Sequence, residues 1–334
     1  MPIHGPGKPN GASLGQNEHG SVAAGLVFGA LAYGSWGFIA FYFKAVAAAD
    51  PFEIMCHRVV WSVLLLAGMI HLRGQWPTVR GLLGHKSTWH SMSVSTVMIA
   101  INWLVFIYAV VTDRLVEASL GYFINPLVSI ALGMVFLGER LRPLQWAAVG
   151  FAVLGVVVYT AGVGTLPWIS ITLALSFGFY GLVRKQAKAG PIVGLFFETT
   201  LLLPIALAYL AVMKATGIRP VLFASRGVGG SSLGFDALLA AGGLVTSLPL
   251  LWFTAAARRL RLSTIGFMQY SAPTIQFLIA VLIFGEPFGL ARAIAFAVIW
   301  AGIAVFVYDS ATHTISNRKG GTSQKNQPAS DQGA

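Results

Sequence analysis

Charge is what this chain has least of. Only 10% of its 334 residues are Asp, Glu, Lys or Arg, where a soluble domain carries roughly a quarter, so a water-facing globular surface is excluded. Cysteine is nearly absent too. The single Cys56 rules out an intramolecular disulfide framework and a cysteine-based metal cluster, and its apolar neighbours read as a packed helix position rather than a reactive thiol. The seven histidines are scattered and no His-Glu-x-x-His occurs, which argues against a zinc protease. No Gly-rich loop precedes a Lys-Ser or Lys-Thr pair, so ATP hydrolysis by this chain is not expected. Gly-x-Ser-x-Gly is missing as well. The sequence therefore predicts no cofactor, no metal and no catalytic residue.

What the chain does have is apolar length. Hydrophobic residues make up 56% of it and the mean hydropathy is +0.74. Ten apolar stretches fall at about 20–44, 52–72, 88–112, 115–137, 143–161, 165–185, 191–213, 235–257, 262–284 and 289–309. Each is near the roughly 20 residues that a helix needs to cross a bilayer. The expectation is an all-α membrane protein of ten transmembrane helices with the lipid bilayer as its solvent.

A net charge of +11 would raise the question of nucleic acid in a soluble protein. Here the basic residues sit in short loops between spans, where they set topology instead, and no nucleic-acid partner is expected. Fifteen Lys and Arg, among them Arg73, Arg80, Arg184 and Arg259, fall in the loops and tails on one side, against six on the other. Arg58 lies within a span. Positive-inside asymmetry then places both termini in the cytoplasm. Residues 1–19 lack the basic n-region and short apolar core of a secretory signal, and 1–19 and 310–334 read as polar, disordered tails.

Sliding the chain against itself by 147 residues superposes Pro126 on Pro273, Gly138-Glu139 on Gly285-Glu286, Phe106 on Phe253, Gly155 on Gly302 and Tyr33-Gly34 on Tyr180-Gly181. Proline and Gly-Glu at one shared offset are rare chance events in apolar sequence. The reading is a duplication, with a first five-helix repeat over 20–161 and a second over 165–309. An odd number of spans per repeat makes the two inverted in the membrane, an architecture of many secondary transporters.

Polar groups at bilayer depth are expensive and need a reason. Glu53, His57 and Trp61 share one face of the second span, with Arg58 beside it. They could relay protons or gate a path, or form a static ion pair at the interface. Asn102 precedes a second group, Glu117, Gly121, Tyr122, Asn125 and Pro126, whose proline frees carbonyls and predicts a kink with a polar notch; helix packing through small residues is the competing account. The related stretch offers Gln269, Tyr270, Pro273 and Gln276, so a kinked helix is expected in each half. Tyr33, Trp36 and Tyr180 read as cavity-lining or as ordinary packing aromatics. Glu198 stands alone within the seventh span, as a proton-coupling acid or as a bond to a neighbouring helix. Glu139 and Glu286 close their spans and are expected to be wet. Mostly neutral hydrogen-bonding groups and rings suit an amphipathic or aromatic solute better than one bearing several phosphates.

The stretches Glu53-Ile-Met-Cys-His-Arg-Val-Val-Trp-Ser, Asn102-Trp-Leu-Val-Phe-Ile-Tyr and Glu117-Ala-Ser-Leu-Gly-Tyr-Phe-Ile-Asn-Pro-Leu resemble the RarD branch of the EamA-type permeases, in the drug/metabolite transporter superfamily. Gly138-Glu-Arg-Leu, Gln145-Trp and the run from Phe267 to Leu278 extend the likeness over about 20–309. The resemblance implies two inverted five-helix repeats around a central cavity. It also implies secondary transport of a small organic solute, metabolite or drug across the bacterial cytoplasmic membrane. Proton coupling through Glu117, His57 or Glu198 is left open, as is oligomeric state. A membrane-embedded ligand sensor or assembly partner that binds without transporting is the alternative.

Overall fold

The computed structural model describes residues 12–84, 86–138, 140–186, 189–216, 232–257, 259–260 and 262–325. Among these the regular structure is all helical, joined by short turns and with no strand. The helices are α1 (Ala12–Ala45), α2 (Pro51–Leu72), α3 (Trp76–Leu83), α4 (Lys86–Val111), α5 (Leu115–Leu137), α6 (Pro143–Val163), α7 (Trp168–Gln186), α8 (Pro191–Thr216), α9 (Ser232–Ala257), α10 (Leu262–Gln269), α11 (Ser271–Leu278) and α12 (Leu290–Lys325). A π turn, Ile279–Ile283, continues α11. Eight helices are long and apolar enough to span a bilayer, and two shorter apolar segments, Trp168–Arg184 and Ser271–Ile283, lie among them.

Local sequence explains where the helices begin and end. Asp50 accepts a hydrogen bond from the Phe52 N–H at 2.9 Å and Pro51 supplies a preset first residue, which together start α2. Gln145 Oε1 accepts from the Arg142 N–H at 3.1 Å at the start of α6. Gly138 closes α5 with φ +65°, and Gly285, its counterpart 147 residues on, lies just past the π turn with φ +66°; glycine is the residue that reaches this conformation without strain.

Polarity is arranged inside out. Leu72, Val135, Leu282 and Leu290 are exposed on the rim, whereas Glu53, His57, Arg58, Asn102, Asn125, Glu198 and Gln276 are buried. That is the distribution a bilayer demands, because lipid solvates leucine and the interior must satisfy polar groups.

Helix boundaries recur at the 147-residue offset: α4 onto α9, α5 onto α10, α11 and the π turn, and α6 onto α12. Packing follows the same exchange. α4 lies against α7 as α9 lies against α1, α5 against α7 as α10 and α11 against α1, while α2–α8, α6–α12 and α5–α11 pair across the halves. Glycines make the tightest crossings. A Cβ on Gly302 would stand 2.7 Å from Phe151 Cβ, and one on Gly155 would run into Ile299, so these two glycines seat α6 and α12 against each other.

Three features differ from the sequence reading. The loop at 73–87 contains the short helix α3, begun at Trp76-Pro77, where proline is tolerated in a first turn. Helical backbone runs beyond the apolar spans into both polar ends, from Ala12 and as far as Lys325. The predicted pair of kinked helices is unequal: α5 runs unbroken through Pro126, while its counterpart is divided at Tyr270.

Candidate functional site

The polar side chains of the interior fall into three groups. In the first, Tyr122 of α5 donates from its hydroxyl to Asn102 Oδ1 at 3.1 Å, and Asn102 Nδ2 donates to the Leu173 carbonyl at 3.1 Å and to Ser176 Oγ at 3.2 Å. This junction ties α4 and α5 to α7. Beside it Arg58 of α2, 7% exposed, stacks over the Trp103 ring at 4.1 Å and faces Phe43 at 5.8 Å. Its Nε donates to Thr246 Oγ1 of α9 at 2.5 Å, and the Thr246 hydroxyl is itself 2.7 Å from the Gly242 carbonyl. A side chain on Gly242 would meet Tyr42 Oη at 2.8 Å and Arg58 Cα at 3.3 Å, and one on Gly243 would meet the Trp61 backbone at 2.6 Å. Absence of Cβ atoms at these two positions lets α9 approach α2.

The second group surrounds Glu198 of α8, which is fully buried. Ser95 donates to Glu198 Oε1 at 2.5 Å, Tyr180 to Oε2 at 3.4 Å, and Arg184 Nε lies 3.7 Å from Oε1. Sequence displayed Glu198 as an isolated acid; its partners come from α4 and α7, more than a hundred residues away in the case of Ser95. Tyr180 also contacts Phe177, whose ring touches Tyr122, so an aromatic bridge joins the first two groups.

The third group belongs to the second half. Gln276 Nε2 donates to the Trp36 carbonyl at 2.9 Å, and Tyr33, Trp36 and Phe253 form a ring cluster with centroids 5.4 to 6.1 Å apart. Pro273 stands in the first turn of α11 and denies a donor to the carbonyl of Gln269, the last residue of α10. Tyr270 occupies the break between them. Among the described residues, the buried atoms Asn125 Oδ1, Tyr270 Oη and Gln276 Oε1 have no hydrogen-bond partner. Asn125 sits on α5, Tyr270 at the α10–α11 junction and Gln276 further along α11, the helix that packs on α5 across the halves.

Other candidates lie elsewhere. Glu117 is held in a bidentate pair with Arg114 at 2.8 and 2.9 Å, at the first turn of α5, and its carbonyl accepts from Ser170. The space expected at Gly121 is filled by α7, for a Cβ there would stand 2.7 Å from the Ser170 carbonyl. Glu53 and His57 are buried near the start of α2, His57 immediately before Arg58 and Glu53 one turn before His57. Glu139 lies outside the described residues; Glu286, expected to be wet, is buried and accepts the Leu115 and Val116 N–H groups at 2.6 and 2.8 Å. It caps the N-terminus of α5 from the other half, a role that no local pattern announced. Two cavities open at opposite ends of the bundle. One of about 490 Å³ is lined by Arg73, Gln75, Ile192, Thr254 and Arg259, the other of about 480 Å³ by Asp50, Phe52, Tyr108, Thr112 and Trp168. Among the described residues, no three His, Cys, Asp or Glu are grouped to hold a metal ion.

Comparison with known proteins places this arrangement. Residues 23–161 match the EamA-like transporter family. The chain is 44% identical over 286 residues to Protein RarD of Escherichia coli K12, covering 86% of this chain and 94% of that one. It is likewise 44% identical to an uncharacterized transporter of Vibrio cholerae, covering 85% and 92%. A crystal structure 20% identical in sequence superposes with a TM-score of 0.53 over 85% of this chain and 97% of the other, a likeness of fold. This multi-pass membrane protein, with its apolar rim and polar interior, belongs to the EamA-like transporter family, in the RarD branch.

Proposed function

We propose that the chain is a secondary transporter that carries a small organic solute across the bacterial cytoplasmic membrane by alternating access. It is built as two inverted five-helix repeats with both termini inside. The recurrence of helix boundaries at 147 residues and the exchange of packing partners between halves support the inversion, since exchanged conformations of two such halves interconvert outward and inward openings. The observation that carries the reading is the set of unpartnered buried acceptors and hydroxyls at Asn125, Tyr270 and Gln276. A buried polar atom left unpaired costs about 1–3 kcal/mol, and a solute bound between the halves would supply the missing partners. Asn102, Tyr122, Gln269, Tyr33 and Trp36 line the approach, and the break at Tyr270 and Pro273 is the element that moves. Among the acids, Glu198 is the candidate for proton coupling, because it is fully buried and its pair with Arg184 is loose at 3.7 Å, whereas Glu117 is held bidentately by Arg114 at a helix end.

The test is flux in proteoliposomes. Saturable uptake of a solute, cut at least tenfold in Asn125→Leu with the fold retained, is the expected result; ligand binding without flux would make the protein a sensor. If uptake depends on pH, that dependence should disappear in Glu198→Gln. An unchanged profile in that variant, in His57→Gln and in Glu117→Gln would remove proton coupling.

A further inference from the structure

We infer that Arg58 is an anion-binding group that recognises the carboxylate of an organic acid with an apolar or aromatic body. The assignment rests on the transport reading only in taking the anion to be the transported solute. An arginine within a membrane span is costly and needs an acid, backbone carbonyls or a ligand as its partner. Among the described residues no carboxylate pairs with Arg58: Glu117 is held by Arg114, Glu198 by Arg184 and Asp309 by Arg142, and Arg58 has Thr246 and two ring faces. A guanidinium carries five donors, and here only Nε is spent. Among the described residues its two Nη groups donate to none, so the fork keeps donors for a ligand.

The fork is also held in place. Thr246 donates its hydroxyl proton to the Gly242 carbonyl, which leaves a lone pair for Arg58 Nε and fixes the plane of the guanidinium, while stacking on Trp103 fixes its face. A planar fork with two free donors matches the two oxygens of one carboxylate. Charge sets the class further. One unpaired cation balances a single negative charge, whereas a phosphate dianion would need a second cation, and those of Arg114 and Arg184 are already neutralised. Around the site Tyr42, Phe43, Phe106 and Tyr122 make edge and tilted ring contacts with one another, a wall suited to an apolar or aromatic body.

The experiment compares acid and amide pairs of one shape, phenylacetate with phenylacetamide and benzoate with benzamide, by thermal stabilisation of the purified wild type. The acid is expected to bind roughly tenfold or more tightly than its amide, as a charge-assisted bidentate contact should. Arg58→Gln should abolish that ratio, and Thr246→Val, which releases the Nε that orients the fork, should lower it. Equal binding of acid and amide by the wild type overturns the assignment without reference to any variant. So does equal stabilisation by sodium chloride or sulfate at the same concentration, which would make the site one for inorganic anions. An acid-to-amide ratio that survives in Arg58→Gln overturns it as well. An acid bound with the expected ratio but not carried into proteoliposomes supports the Arg58 site and overturns transport; flux of a solute that binds equally as acid and amide does the reverse.

Discussion

Helix α5 and the α10–α11 segment occupy corresponding places in the two halves, carry a proline at the same register and precede a glycine of nearly the same φ, yet only the second is broken. Proline is therefore not what decides. Around Pro126 the chain is clamped: Gly121 brings α5 onto the α7 backbone and Tyr122 is tied through Asn102 to α7 as well. Around Pro273 the side chains compete with the helix. Ser271 Oγ donates to the Met268 carbonyl at 2.6 Å and Thr274 Oγ1 to the Tyr270 carbonyl at 2.7 Å, local bonds that offer the backbone an alternative to the α ladder. The π turn that follows, with Phe284 N–H on the Ile279 carbonyl at 2.9 Å, loosens the same segment again. One half supplies a stiff post and the other a jointed one.

The largest expected effect breaks the post. A methyl group at Gly121 meets backbone, the Ser170 carbonyl at 2.7 Å and Ser170 Cα at 2.9 Å, and backbone cannot rotate aside. Gly121→Ala should therefore cost about 1–3 kcal/mol, the usual range for overpacking a tight core, seen as a lowered melting temperature in detergent. A variant as stable as wild type would mean that α5 and α7 are not held at this distance.

A smaller effect tests how the jointed half holds the stiff one. Glu286, beyond the π turn, accepts two N–H groups at the start of α5, the site where a carboxylate stabilises a helix. Glu286→Ala should lower stability by about 1 kcal/mol, within the range for losing an N-cap. Burial pushes the Glu286 pKa up, and the Val116 and Leu115 N–H groups offset that only in part. A carboxyl with a raised folded-state pKa contributes stability that is lost as pH rises through that pKa. The advantage of wild type over Glu286→Ala should accordingly be greatest at acidic pH and shrink above it; a difference that grows with pH would contradict this.

How much of this was legible beforehand depends on how local the cause is. Apolar length set the spans, because lipid leaves no other way to satisfy a backbone; the stretches read at 52–72 and 115–137 coincide with α2 and α5 almost to the residue. The shared offset paired Gly138 with Gly285 and Gly155 with Gly302, and both pairs have matching structural duties. Contacts between distant elements were invisible. Arg58 meets Thr246 across 188 residues, Glu286 meets Leu115 across 171, and neither pair has a spacing that a periodicity can reveal. The break at Tyr270 was hidden for a different reason. It depends on whether neighbours clamp the proline, and the two proline segments look alike until their neighbours are known.

The smallest effect sharpens the comparison by exchanging the clamp. At the 147-residue offset Gly121 corresponds to Met268, and the helix that faces Met268 offers a glycine in return. A Cβ on Gly29 of α1 would stand 2.6 Å from Met268 Cε and 2.8 Å from Sδ. The number resembles that at Gly121, but the obstacle is the end of a flexible thioether, which can swing to another rotamer. Gly29→Ala should therefore cost less than about 1 kcal/mol, the behaviour of a site that can repack, although the two methyl groups begin equally crowded. If Gly29→Ala proved as damaging as Gly121→Ala, α1 and α10 would be as rigidly joined as α5 and α7, and the second half would have no joint to move.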